Sequence, residues 1–292
     1  MAMEDDHTWL SVIPEAKPGT AFLELQHSVV YESEIPALQG TREDGWVSDN
    51  VIAVAFELLG IWTSCSDKGI SLMNPTDARA LCQIGVKELQ NFGPEDLKGL
   101  EKLKDHLQDK RWVFIPINDG YQPTNGNISI SQGSHWCLLV VDLVCKKSHY
   151  IDSFGALLSE TAGYVDAGMQ RFLGFRDKPW GMQYEQNSPS QIPGQQNDAA
   201  KLDKGACGPF FYAMAATLVW HIIAVERDGR HWDVDIPGHP DQIRFDSFGV
   251  RKHLHLFMRL AKYVQTGDGW SPELADHLKA LSGFRTLFYS PQ

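Results

Sequence analysis

The sequence predicts an α+β fold, because its strand-like segments lie in the middle of the chain and its helix-like segments lie around them. Two runs, 112–117 and 135–144, are rich in apolar and β-branched residues, which is typical of buried strands. Longer segments before and after them carry apolar residues at the spacing of buried or amphipathic helices. Strands grouped together with helices around them are characteristic of the α+β class.

The first part of the chain contains three predicted helices. Residues 49–59 read as a buried helix, and either Ser48 or Asp49 is suited to be its N-cap. Residues 76–83 and 94–109 also carry a helical pattern. All three precede the strand region.

The strand region begins with residues 112–117. A polar loop over 118–133 follows, and its glycines and proline favour turns. Residues 135–144 are apolar on both faces, which indicates a central strand that is covered on both sides. A short turn at Lys146-Lys147 then leads to a second strand at 149–152.

The last part of the chain is predicted to be mostly helical. Residues 177–206 are rich in Pro, Gly, Gln, Asn and Ser, which indicates an irregular surface connection. Residues 209–225 are apolar on nearly all sides and therefore predict a buried helix. Two amphipathic helices are predicted near 246–264 and 271–282.

We expect these elements to form one domain, which suits a chain of 292 residues. Residues 1–20 are predicted to be a loose N-terminal tail, residues 21–264 the single folded domain, and residues 265–292 a C-terminal helical extension. The sequence assigns no role to this extension.

Composition and charge restrict the class of function. The net charge of −11 argues against general nucleic-acid binding, which requires a basic surface, and it permits a basic protein partner. Solubility alone is the simpler account of such a charge. No run of about 18 apolar residues predicts a membrane span, and the acidic N-terminus has no secretory signal. We therefore expect a cytosolic or nuclear protein that binds neither nucleic acid nor a membrane.

The five cysteines include no C-x-x-C pair, so we expect no disulfide framework, no metal and no cofactor. Cys207 is distinctive, because it lies between Gly205-Ala206 and Gly208-Pro209, where a loop ends and a buried helix begins. A helix N-terminus favours the reactive thiolate, and its N–H groups can face an oxyanion. The alternative is a buried core cysteine, which describes the other four well: Cys65, Cys82, Cys137 and Cys145.

A cysteine nucleophile needs a histidine base and a third group that orients the imidazole. His135 opens the central strand and Asp152 ends the next one, so two adjacent strands can bring them together, although their spacing alone does not prove it. Asp142 lies within the same strand as His135 and cannot readily reach its imidazole. His149 and His221 remain alternative bases, and a structural role is the more common one for a histidine.

The segments Gly133-Ser134-His135-Trp136, Tyr150-Ile151-Asp152-Ser153, Gln195-Gln196-Asn197 and Cys207-Gly208 follow one another in the chain. In this order they resemble the motifs of the Ulp/sentrin-specific protease family. The order His, Asp, Cys differs from that of papain, so it is informative. Upstream, the segments 46–52 and 114–119 are also similar to family motifs, and the resemblance extends over residues 25–260.

The resemblance implies a papain-like cysteine protease fold of the Ulp/adenain type, with a central mixed sheet flanked by helices. It implies that Cys207 is the nucleophile, His135 the general base and Asp152 the residue that orients it. It also implies that Gln195, or Gln196 in its place, donates a hydrogen bond to the oxyanion. The spacing between this glutamine and the cysteine is longer here than in the family pattern.

The resemblance further implies a narrow tunnel that only Gly-Gly can pass, because any side chain would clash with its walls. Trp46 and Trp136 are the expected floor and lid. The other residues expected to bind substrate are Asp49, Gln196 and Gly208.

The activity implied is that of a thiol isopeptidase and peptidase that cleaves after the C-terminal Gly-Gly of a ubiquitin-like modifier. Within the family the sequence is most similar to the deneddylases, so we expect deconjugation and precursor processing of a Nedd/Rub-type modifier by a monomer. The alternatives are a SUMO- or ubiquitin-directed protease, a catalytically weak modifier-binding module, and an acetyltransferase on the same scaffold. No basic cluster suited to an acyl-CoA phosphate supports the acetyltransferase.

Overall fold

A computed structural model of the chain describes residues 19–39, 45–87, 93–121, 133–175, 180–185, 205–227 and 247–267. Its strands are β1 Ala21–Glu24, β2 Val29–Tyr31, β3 Ile70–Leu72, β4 Trp112–Asn118, β5 Trp136–Asp142, β6 Lys147–Ile151 and β7 Met182–Tyr184. The α-helices are α1 Asp49–Thr63, α2 Pro75–Val86, α3 Glu101–Leu107, α4 Ser159–Phe172, α5 Cys207–Arg227 and α6 Ser247–Thr266. Short 3₁₀ helices span Glu32–Gln39, Cys65–Lys68, Pro94–Leu97 and Asp119–Tyr121.

The core of the fold is a mixed five-stranded sheet in the order β3-β4-β5-β6-β7. The two edge strands pair parallel with their neighbours, whereas β4, β5 and β6 pair antiparallel. Every residue of β4 and β5 is buried, as the apolar runs predicted. This central mixed sheet flanked by helices confirms the α+β class and the sheet arrangement that the resemblance implied.

Helices cover both faces of the sheet. On one face α5 packs on β5, where the rings of Trp136 and Phe211 are 6.0 Å apart. On the other face α4 packs on β6, where the hydroxyl of Ser148 donates to the carboxylate of Asp166. Helix α5 is long and apolar enough to meet the criteria for a membrane span, but most of it is buried in the protein interior, as expected of a core helix.

The predicted elements agree with the structure where the local pattern was strong. Ser48 rather than Asp49 is the N-cap of α1, since its hydroxyl accepts a hydrogen bond from the N–H of Val51 at 3.3 Å. The helix predicted over 94–109 divides into a 3₁₀ turn and the shorter α3. The predicted strand ends two residues early, at Asp142, whose carboxylate accepts from the N–H groups that form the following turn.

Several elements were not predicted. They are the β1–β2 hairpin, the edge strands β3 and β7, and helix α4. β7 lies within 177–206, so that segment is not irregular throughout. Helix α6 extends to Thr266, two residues past the predicted end of the domain. The predicted helix 271–282, and nearly all of the predicted tail, lie outside the described residues.

Candidate active site

Three elements meet at one end of the sheet: the start of β5, the end of β6 and the N-terminus of α5. Nε2 of His135 lies 2.7 Å from Oδ1 of Asp152. Sγ of Cys207 lies 4.0 Å from the carbonyl oxygen of Ser134, the residue directly before His135. All three side chains are buried. The structure therefore brings together the three residues that the sequence predicted as nucleophile, base and orienting acid.

The charge state of His135 follows from its two partners. Burial lowers the pKa of this imidazole, but hydrogen bonds to Asp152 and Cys207, together with their negative charges, more than offset that effect. The result is a pKa raised from 6.5 to about 9. At neutral pH the ring is therefore an imidazolium, which stabilises a thiolate on Cys207. Because Nε2 of His135 is hydrogen-bonded to Asp152, Nδ1 is the ring nitrogen that is available to the sulfur of Cys207.

Asp152 is held by two further hydrogen bonds. The phenol of Tyr150 donates to Oδ2, and the backbone N–H of Phe154 donates to Oδ1 at 2.9 Å. The same phenol oxygen accepts from the N–H of Leu158 at 2.9 Å. Tyr150 therefore connects the carboxylate to the turn before α4. Sequence analysis did not identify this residue as functional, although it lies two positions before Asp152, on the same face of the strand.

The turn that precedes His135 is held by Asp119. Oδ1 of Asp119 accepts from the N–H groups of Ser134 and His135, at 2.6 and 3.0 Å, and Oδ2 accepts from the hydroxyl of Ser134 at 2.6 Å. These three bonds fix the backbone on which the imidazole is mounted. They also fix the carbonyl oxygen that faces Cys207.

Cys207 is the first residue of α5, and Pro209 occupies the first turn, as predicted. The N–H of Phe210 donates to the carbonyl of Ala206 at 2.9 Å. The N–H groups of Cys207 and Gly208 precede this bond, at the positive end of the helix dipole. This is the geometry that stabilises a developing oxyanion at the carbon that the sulfur attacks.

The segment before the nucleophile is packed tightly. A Cβ on Gly205 would lie 2.1 Å from the carbonyl oxygen of Gly45 and 2.9 Å from Nη2 of Arg251. Arg251 is fully buried in α6, and its other terminal nitrogen donates to the carbonyl of Ala37. Glycine at 205 therefore allows three parts of the chain to meet beside Cys207.

Two residues predicted to bind substrate, Trp136 and Gly208, make packing contacts in the structure. Trp136 is only 2% exposed, and its indole N–H donates to the carbonyl oxygen of Val47 at 2.8 Å. Gly208 is buried, and a Cβ there would lie 2.7 Å from Cβ of Val47. Both residues support the segment that carries Trp46. The roles of Trp136 as tunnel lid and of Gly208 as a substrate contact stay predictions.

Trp46 and Asp49 are exposed, as residues that contact substrate must be. The segment that carries these two residues is held by Glu34. Its carboxylate accepts hydrogen bonds from the hydroxyl of Ser48 at 2.6 Å and from the side-chain amide of Asn50 at 3.1 Å. Gln195 and Gln196 lie outside the described residues, so their prediction as oxyanion donor and substrate contact stays a prediction.

The alternative residues have other partners. Asp142 accepts from Arg111 at 3.0 Å, at the far end of β5 from His135. His149 is paired with Glu185 at 2.7 Å through Nδ1, and both are buried. Among the residues that the structure describes, no group of three His, Cys, Asp or Glu side chains is placed to hold a metal ion.

A family model matches part of the chain. Residues 91–216 match the model of the Ulp1 protease family, C-terminal catalytic domain. The matched range contains His135, Asp152 and Cys207, the three residues that meet at the end of the sheet. The search of curated proteins found no match.

Solved structures resemble this chain over most of its length. A structure of the SUMO protease Ulp1 with its catalytic cysteine oxidised to a sulfenic acid is 16% identical, with 83% of this chain and 89% of that one covered and a TM-score of 0.50. A structure described as a de-sumoylating protease is 13% identical, with 89% and 93% covered and a TM-score of 0.50. At identities this low, the likeness shows a shared fold, which confirms the Ulp-type fold that the resemblance implied.

Proposed function

We propose that this protein is a cysteine protease of the Ulp1 type, which hydrolyses the bond that follows the C-terminal Gly-Gly of a ubiquitin-like modifier, both in isopeptide conjugates and in modifier precursors. The observation that carries the proposal is the hydrogen bond between His135 and Asp152 beside Cys207 at the start of α5. That arrangement provides a base, its orienting acid, a thiolate and an oxyanion site in one place. A module that only binds a modifier needs none of them.

The chemistry follows from the positions of these groups. The thiolate of Cys207 attacks the carbonyl carbon of the terminal glycine, and the carbonyl oxygen becomes an oxyanion beside the N–H groups at the start of α5. The imidazolium of His135 donates its proton to the leaving amine, so the C–N bond breaks and a thioester remains. His135, now neutral, takes a proton from water, and the resulting hydroxide attacks the thioester. The C–S bond breaks, the acid is released and ionises in solvent, and the thiolate–imidazolium pair is restored.

Access by a Gly-Gly tail is consistent with the tight surroundings of the thiol. Cys207 is only 2% exposed, and the backbone around it is packed against Gly45 and Val47. A residue with a side chain would meet these walls, whereas glycine has no atom to clash. Trp46, which is 43% exposed, is the aromatic residue on this side of the sulfur that remains available to a substrate.

For the modifier itself we favour a Nedd/Rub-type protein. The support is the similarity of the 46–57 segment, the Ile117-Asn118-Asp119 turn and the Gln195–Asn197 triplet to deneddylases. A net charge of −11 suits a basic modifier surface, but that property does not separate one modifier from another. Several neighbouring structures are described as SUMO proteases, so SUMO is the main alternative. We also propose that the protease acts in the cytosol or nucleus.

A panel of modifiers with propargyl C-termini tests the proposal, because an alkyne in place of the scissile carbonyl traps the nucleophile as a stable adduct. We expect a covalent adduct on Cys207 that forms fastest with the Nedd/Rub-type probe. Cys207→Ala should form no adduct, whereas Cys145→Ser should react normally, since Cys145 is exposed and lies in the turn after β5.

Two outcomes of this panel are decisive. The absence of any adduct with any Gly-Gly-terminated probe would contradict the proposed function. Faster reaction with the SUMO or ubiquitin probe would retain the protease assignment and replace the Nedd/Rub assignment.

A further inference from the structure

The active site lies between two exposed aromatic side chains that are attached to different catalytic groups. Trp46 adjoins Gly45 and Val47, which pack against the backbone at Gly205 and Gly208 on either side of Cys207. Phe154 adjoins Asp152 instead. Trp46 therefore lies on the cysteine side of the catalytic groups, and Phe154 lies on the histidine side.

Phe154 is placed against the imidazole. Its ring is 6.2 Å from that of His135, in an edge-to-face arrangement, and its N–H donates to the same oxygen of Asp152 that His135 contacts. The ring is nevertheless 48% exposed. Leu157, three residues further along the same loop, is 59% exposed. No charged residue occurs in the loop segment 153–158, in a chain with many surface charges.

Acyl transfer determines which part of a substrate meets this loop. The proton donor must reach the leaving nitrogen, so that nitrogen lies beside the imidazole, and the group attached to it leaves past the histidine. The acyl part, which is the modifier tail, lies on the other side of the scissile bond, toward Trp46. Phe154 and Leu157 therefore line the leaving-group side.

We propose that Phe154 and Leu157 form the leaving-group surface of the site, and that Phe154 packs against the aliphatic stem of the lysine from which the modifier is released. This rests on the proposed function. An isopeptide bond places four methylenes directly after the leaving nitrogen, and an aromatic face covers such a stem well. A precursor with an α-linked glycine after the tail has no such stem. The surface therefore favours deconjugation of lysine-linked substrates.

The test compares Phe154→Ala with the unchanged enzyme on three substrates that share one modifier. The first is an isopeptide of the modifier on a lysine-containing peptide. The second is an α-linked peptide that begins with glycine. The third is the propargyl-terminated modifier, which reacts with the thiol without any leaving group.

We expect kcat/KM on the lysine isopeptide to fall about tenfold, as when an apolar contact of a substrate is removed, and the other two reactions to change less than about twofold. Phe154→Leu should recover most of the loss. Val144→Ala is the matched control, because Val144 is also exposed and apolar but lies at the opposite end of β5. It should leave all three rates unchanged.

The outcomes separate this inference from the proposed function. If the unchanged enzyme does not react with the propargyl probe, the proposed function fails. If the probe reacts normally but Phe154→Ala cleaves the isopeptide as fast as the unchanged enzyme, or loses both linkages equally, the leaving-group assignment is wrong. Slower reaction of Phe154→Ala with the probe would show that Phe154 supports His135 rather than substrate, and would also overturn the assignment.

Discussion

The phenol of Tyr150 donates a hydrogen bond to Oδ2 of Asp152, the carboxylate oxygen that His135 does not contact. Oδ1 is hydrogen-bonded to Nε2 of His135 and accepts a hydrogen bond from the N–H of Phe154. Both oxygens of the carboxylate are therefore occupied, and the plane of the group is fixed. A fixed carboxylate holds the imidazole in the orientation in which Nδ1 faces the sulfur.

Tyr150→Phe should lower kcat roughly three- to thirtyfold with little change in KM, because it loosens the orienting acid without altering the surface that binds substrate. It should also lower the free energy of unfolding by about 1 kcal/mol. Steady-state kinetics and urea denaturation provide the measurements. Tyr164→Phe is the control, since its hydroxyl donates to the exposed Glu160 within α4, away from the candidate site. An unchanged kcat in Tyr150→Phe would show that Asp152 is adequately held without the phenol.

The raised pKa of His135 predicts the alkaline limit of activity. The protonated ring is needed both to stabilise the thiolate and to protonate the leaving amine, so kcat/KM should fall above about pH 9. Asp152→Asn should move this limit to lower pH, because it removes the hydrogen bond and charge that raise the pKa. Asp142→Asn should leave the limit in place, since Asp142 pairs with Arg111. A pH–rate profile from 5.5 to 10 decides between these outcomes, and equal shifts in both variants would refute the assignment of Asp152.

The raised pKa of His135 also makes the stability of the folded protein depend on pH. The pKa of His135 in the folded protein lies above its ordinary value of 6.5, so the imidazolium contributes stability that is fully present below that pH. This contribution should be lost as the pH rises through about 9. The difference in free energy of unfolding between the unchanged protein and His135→Gln, measured at pH 6 and pH 10, should therefore shrink at the higher pH. A difference that grows with pH would mean that His135 is neutral in the folded protein.

Gly205→Ala should damage the site through packing. The new Cβ would overlap the carbonyl oxygen of Gly45, so the segment before Cys207 or the segment carrying Trp46 must move. We expect kcat/KM to fall at least about tenfold and the free energy of unfolding to fall by about 1–3 kcal/mol. Gly163→Ala in α4 is the matched control, because a Cβ there meets no atom within 4 Å, and it should be neutral or slightly stabilising. Full activity in Gly205→Ala would contradict a close-packed nucleophile segment.

The oxyanion donor predicted at Gln195 is tested by alanine substitution. Gln195→Ala should lower kcat roughly ten- to a thousandfold with little change in KM, which is the effect of losing one oxyanion donor. Gln196→Ala should have a much smaller effect and serves as the control. The reverse result would move the assignment by one residue. If neither variant is impaired, the N–H groups at the start of α5 stabilise the oxyanion without a glutamine.

The sequence was sufficient for features that depend on local pattern or on chain order. The continuous apolar runs of β4, β5 and α5 predicted buried elements, since burial on all sides leaves no polar face. The order of His135, Asp152 and Cys207 predicted a candidate catalytic set, and adjacent antiparallel strands bring the first two together. The short edge strand β7, with its largely exposed residues, has no such signal.

Only the tertiary structure decided which of the remaining residues contact one another. The indole N–H of Trp136 donates to the carbonyl oxygen of Val47, which is 89 positions away in the chain. The phenol of Tyr150 donates to Asp152 because both side chains lie on one face of the strand. Gly205 contacts Gly45 because two distant backbone segments approach each other closely. Periodicity specifies which face of an element is buried but not which distant atom it meets there, and that choice depends on how the elements pack against one another.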